Sequence, residues 1–168
     1  MRIRMTFFFL LFLTLLIFSQ CSKKDDLSQF QKFNQQFLAT QIPEVPDPRL
    51  LTKEDLPAEQ QKYFDENGGT LQMLLDINQN GVPEYLICGV SKSLLEKHEH
   101  RAYFFAIFEQ TENGIERKFL QRLNAPPVNL KASGRDKHSG VLLIFAFSSN
   151  FAAEIYYEGD EYKLERWF

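Results

Sequence analysis

Side chains bearing oxygen recur at alternate positions in the segment Asp76-Ile-Asn-Gln-Asn-Gly-Val-Pro-Glu84. Asp76, Asn78 and Asn80 stand at positions one, three and five, and Glu84 stands at nine. Gly81 at six allows the sharp turn, and the backbone carbonyl of Val82 at seven supplies a further oxygen. This is the donor set that a hard cation such as Ca²⁺ requires. Ile87 at position twelve occupies the place where a helical EF-hand needs a bidentate Glu, and Pro83 leads into a strand-like run. The segment therefore reads as a strand–loop–strand turn. With only Asp76 and Glu84 charged, affinity should lie in the weak extracellular range, roughly 10⁻⁴ to 10⁻³ M. A metal-free reading stands beside this one, because Asn and Asp bond their own backbone in turns and Asn80-Gly81 alone would close a hairpin.

Other reactive side chains form no comparable pattern. His98-Glu-His100 would place two imidazoles on one face of a strand, but structural zinc needs four ligands and only distant His138 remains. A charged loop accounts better for the HEH run. Ser133, His138 and Ser139 share a polar stretch without the strained elbow that orients a nucleophile. No phosphate-cradling glycine loop, HExxH or CxxC occurs, and nothing in the sequence argues for catalysis in particular. The many aromatics, Tyr103, Phe104, Phe105, Phe108, Phe145, Phe147, Tyr156 and Trp167, read as core rather than as a ligand groove.

Cys21 carries a different chemistry. Arg2 and Arg4 precede the apolar run Met5 to Phe18, which ends in Phe-Ser-Gln-Cys21-Ser-Lys-Lys. As a helix the run would be about 21 Å long, short of the roughly 30 Å hydrocarbon core and suited to a signal-peptide h-region. The junction resembles the looser, spirochaete-type lipobox, departing from the usual pattern at Phe18 and Gln20. The resemblance implies cleavage after residue 20, lipid (palmitate among it) on Cys21, and a tether over 21–26. Two or more acyl chains hold a soluble domain firmly. Ser22 in place of Asp favours the outer membrane under the best-known sorting rule, with the leaflet open.

Removing residues 1–20 takes away two arginines and no acids, so 17 basic and 22 acidic side chains remain, a net charge of −5. That balance argues against non-specific nucleic-acid binding. The 148 remaining residues suit one domain, expected over 27–168. With Cys21 acylated, Cys88 has no partner for a disulfide and reads as a small core residue.

The elements that must position these residues are mostly strands. Leu27, Phe30, Phe33, Phe37 and Leu38 have helical spacing and predict a helix over 27–38 that docks on the core. Pro43, Pro46 and Pro48 predict an extended connection. A second helix is expected over 57–66, capped by Thr52 or Asp55 and ended by Gly68-Gly69. From Thr70 onward seven strands follow in hairpin order, with turns at NQNG, Asn113-Gly114 and Gly159-Asp160. Continuous apolar runs such as VLLIFAF predict strands covered on both faces. Residues 124–140 read as a surface loop with a short strand near Val128 to Ala132. The fold class expected is α+β, mainly β: an antiparallel sheet or sandwich with one or two N-terminal helices.

The loop from Asp76 to Glu84 resembles the calcium hairpin of FG-GAP and integrin-type repeats, DxNxDGxxD/E followed by an apolar strand. YYEGDEYKL, Tyr156 to Leu164, is similar to the later aromatic–acidic hairpin of such proteins. Asn80 departs from the family's Asp. The resemblance implies a propeller-blade-like or sandwich-like sheet with a binding or structural role, metal held by Asp76, Asn78, Asn80, Val82 and Glu84, and no particular ligand. The expected function is a lipid-anchored, non-enzymatic envelope module that meets a protein or glycan partner. An enzyme or enzyme inhibitor whose site assembles only in three dimensions is the alternative.

Overall fold

The computed structural model describes residues 26–135, 138–145 and 152–167. The expected signal peptide, the expected lipidation site Cys21 and residues 22–25 of the expected tether lie outside the described residues, as do Phe147 and the side chains of His138 and Trp167. The chain divides into two units, 1–31 and 32–168. Helix α1, Asp26–Phe30, is the described element of the first.

In the second unit the elements are α2 (Gln35–Gln41), β1 (Pro48–Leu50), a 3₁₀ turn (Lys53–Asp55), α3 (Ala58–Glu66), β2 (Gln72–Leu75), β3 (Glu84–Ser91) and α4 (Lys92–Glu96). They are followed by β4 (Tyr103–Thr111), β5 (Gly114–Leu123), β6 (Asn129–Arg135), β7 (His138–Ile144), β8 (Ala152–Glu158) and β9 (Glu161–Trp167). The fold is mainly β and every strand pair is antiparallel. One sheet runs β1-β3-β4-β5, with β2 sharing the β1 edge of β3, and the other runs β6-β7-β8-β9.

The side-chain period of two decides what lies between the sheets. Leu86, Cys88, Val90, Phe105 and Ile107 of the first sheet meet Leu130, Val141, Leu143, Ala153 and Ile155 of the second in one buried core. The alternate residues of β3 and β4, Ile87, Phe104, Ala106 and Phe108, are equally buried. Their face is covered by the α2 segment: the Phe33 ring lies 5.1 Å from Phe108 and 5.3 Å from Tyr85. β3 and β4 are thus buried on both faces. VLLIFAF, expected to be so, alternates instead: Val141, Leu143 and Phe145 are buried, Leu142 and Ile144 half-exposed. Gly89 is required at its crossing with β4, because a Cβ there would lie 2.0 Å from Phe104 Cζ.

Further expectations are corrected. The helix over 27–38 is two short helices, because Asn34 leaves helical geometry at ψ 170° and caps α2 by accepting from Phe37 N. Thr52 and Asp55 cap the 3₁₀ turn rather than α3: Asp55 Oδ2 accepts from Thr52 N at 2.9 Å while its carboxylate grips Arg49 of β1. The short strand expected near Val128 to Ala132 is a seven-residue strand, Asn129–Arg135, and the surface loop expected around it is correspondingly shorter. Val128 and Leu130 are core residues, and Asn129 Oδ1 accepts from Thr70 N at 3.0 Å, fastening this strand to the start of β2. β1 and α4 were not foreseen, and the β4–β5 turn is Glu112-Asn113 with Gly114 opening β5 at φ 118°.

Candidate functional site

The loop between β2 and β3 is closed by its own side chains. Asp76 Oδ1 accepts from Asn80 N at 3.0 Å and its Oδ2 from Gly81 N at 2.9 Å. Asn78 Oδ1 also accepts from Asn80 N, and Asn80 Oδ1 accepts from Val82 N at 2.7 Å. Gln79 at φ 59° and Gly81 at φ 85° make the left-handed bends that bring these amides inward. Each of those oxygens keeps a second lone pair, so the turn can hold its shape and still offer donors to a cation. Val82 N is engaged in the same way, and the residue itself is exposed.

Glu84 differs from the rest of the ring. It opens β3 opposite Leu75 and is 1% exposed. Its Oε2 accepts from Ile77 N at 2.6 Å, while Oε1 is buried with no hydrogen-bond partner among the described residues. Burial, reinforced by the negative charges of Glu109 and Asp76, pushes its carboxyl up to about 7.

Two residues outside the loop reach it. Glu109 of β4 accepts from Asn78 Nδ2 at 3.1 Å and from the Tyr162 hydroxyl at 2.7 Å, both on Oε1. Burial and that hydrogen bond raise Tyr162 above its ordinary range, so it stays a donor. Sequence reading missed Glu109, whose signal is a carboxylate ending the apolar run of β4. Tyr162 lay inside the aromatic–acidic hairpin, without a role of its own. Beside them opens a polar cavity of about 390 Å³, lined by Glu109, Lys118, Tyr157, Asp160, Glu161 and Tyr162.

The loop therefore brings Asp76, Asn78, Asn80 and Glu84 together around one turn. The donor set fits a hard cation in chemistry: two amide oxygens, the Val82 carbonyl and two carboxylates, one of which, Glu84, has an oxygen without a partner among the described residues. Among the described residues no three His, Cys, Asp or Glu side chains converge to hold a metal ion, so a cation would depend on the amide and backbone oxygens as well. The remaining sequence candidates lie elsewhere. His98 and His100 are exposed in the turn after α4, with His98 at φ 54°. The Ser133 hydroxyl donates to buried Glu154, and Ser139 Oγ accepts from Gln79. Cys88 is a free, buried thiol that burial pushes up. No described helix is long and apolar enough to cross a membrane. Compared with known proteins, the chain matches no family model, no curated protein and no solved structure.

Proposed function

We propose that this chain is a lipid-anchored envelope protein whose β-sandwich is a binding or structural module braced by weak Ca²⁺ binding at Asp76, Asn78, Asn80, Val82 and Glu84. The observation that carries the metal reading is Glu84 Oε1. A buried carboxylate oxygen without a donor costs on the order of 1–3 kcal/mol, and a cation in the loop removes that cost. The cation joins the ends of β2 and β3 and does no chemistry of its own. The Cys21 junction supports the anchor, and the partner is a protein or glycan of the envelope or its surroundings.

Thermal unfolding of the mature chain in detergent tests the brace. Calcium at ten times its dissociation constant should add about 1.4 kcal/mol, a rise of a few degrees over EGTA that Asp76→Ala abolishes. No rise at millimolar calcium would reduce the loop to a turn. Palmitate labelling that disappears in Cys21→Ala would support the anchor, and equal labelling of both chains would refute it.

A further inference from the structure

Glu109 follows Asn78 by 31 residues and lies on a different strand, outside the loop motif. We propose that Glu109 is a positioning residue of the cation site: from β4 it sets the orientation of the Asn78 amide and brings a negative charge beside that amide. This inference rests on the cation reading of the loop and deepens it.

The geometry runs through one amide. Asn78 Nδ2 donates to Glu109 Oε1 at 3.1 Å, which leaves Asn78 Oδ1 facing its own loop, where it accepts from Asn80 N at 3.1 Å. Rotating the amide by half a turn would put an NH₂ against a backbone N–H and an oxygen against a carboxylate, losing both bonds. Glu109 is itself held, because the Tyr162 hydroxyl donates 2.7 Å to the same oxygen. The chain Tyr162–Glu109–Asn78 thus runs from β9 through β4 into the loop and fixes a donor oxygen before any cation arrives. Such fixation reduces the ordering cost of binding.

The same loop ends on Glu84, which is 1% exposed and whose Oε1 has no hydrogen-bond partner among the described residues, an oxygen that a divalent cation would satisfy. Glu109 acts through Asn78 rather than as a ligand, in keeping with the lack of three converging acidic side chains among the described residues.

The test is isothermal titration of the mature lipidated chain in detergent with CaCl₂, beside melting temperatures in EGTA. Glu109→Gln keeps an acceptor for Asn78 and loses the charge; Glu109→Ala loses both. The calcium Kd is expected to rise a few-fold in Glu109→Gln and at least about tenfold in Glu109→Ala. Partial rescue by Gln is the signature of positioning. A Glu109→Ala chain that melts lower but binds calcium with the wild-type Kd would overturn the inference and leave the cation reading intact. Equal losses in Gln and Ala would overturn the positioning role. Wild-type chain that takes up no calcium would overturn both readings together. If Glu109→Ala does not fold, Tyr162→Phe carries the test, since it keeps the carboxylate but frees its position. A few-fold weaker Kd is expected there, and an unchanged one refutes the relay.

Discussion

Glu84 should make this protein less stable as pH rises, the reverse of what an ordinary surface carboxylate does. Its carboxyl sits at about 7 in the folded chain against 4.5 when free, because burial penalises the charged form and Glu109 and Asp76 repel it. Below pH 4.5 the group is protonated in both folded and unfolded chains. Between 4.5 and 7 the folded chain holds a proton that the unfolded chain has lost, so each step upward in pH favours unfolding. The full difference is about 3 kcal/mol, at about 1.36 kcal/mol per pH unit between 4.5 and 7. For a domain of this size that corresponds to a melting shift of about 10 °C. Urea unfolding in EGTA at several pH values from 4.5 to 8, for wild type and Glu84→Gln, reads this directly. Gln retains an oxygen for Ile77 N but cannot ionise, and subtracting the two curves removes every other titrating group. The wild type should lose ground to the variant across that window, with most of the loss complete above pH 7. A difference that stays constant within about 0.5 kcal/mol would show that Glu84 carries its charge without cost, and the case for a cation at Oε1 would go with it.

Gly89→Ala should cost about 3 kcal/mol in urea unfolding, since its Cβ would enter the Phe104 ring between two packed strands. Asp55→Ala should cost about 2 kcal/mol by leaving half-buried Arg49 without its partner. Burial raises Asp55, but the Arg49 and Thr52 hydrogen bonds outweigh it and hold the carboxyl below its usual 3.8. That contribution is therefore present above pH 3.8 and should vanish in stronger acid, where wild type and variant converge. Cys88 should resist thiol reagents in the native chain at pH 8 and react at once in urea, because burial keeps it a thiol. Fast labelling of the folded protein would contradict the packed inter-sheet core.

Several features were already fixed by local chemistry. Turn residues with one dominant conformation, such as Gly159-Asp160 at φ 61° and 65°, set their hairpin wherever they occur. The alternation of oxygen side chains from Asp76 to Glu84 likewise dictates a loop closed on its own backbone amides. Asn34 shows where such reading falls short: its neighbours have helical spacing, yet its side chain competes successfully with the helix and starts a new one. The strand expected near Val128 to Ala132 runs on through Ser133, Gly134 and Arg135 because β7 pairs with them, and Asn129 fastens it to Thr70.

By itself, then, the sequence determined the β-hairpin order, the α3 helix and the loop with its oxygen ring, all contacts between residues close in the chain. Tertiary structure alone decided the pairing of two sheets into a sandwich, the burial of β4 on both faces and the arrival of Glu109 and Tyr162 beside the loop. Those depend on which strands become neighbours across the core, and no local preference encodes that. Burial has the same origin. Glu84 is one carboxylate among 22 acidic side chains in the sequence, and only the packing around Oε1 makes its charge costly.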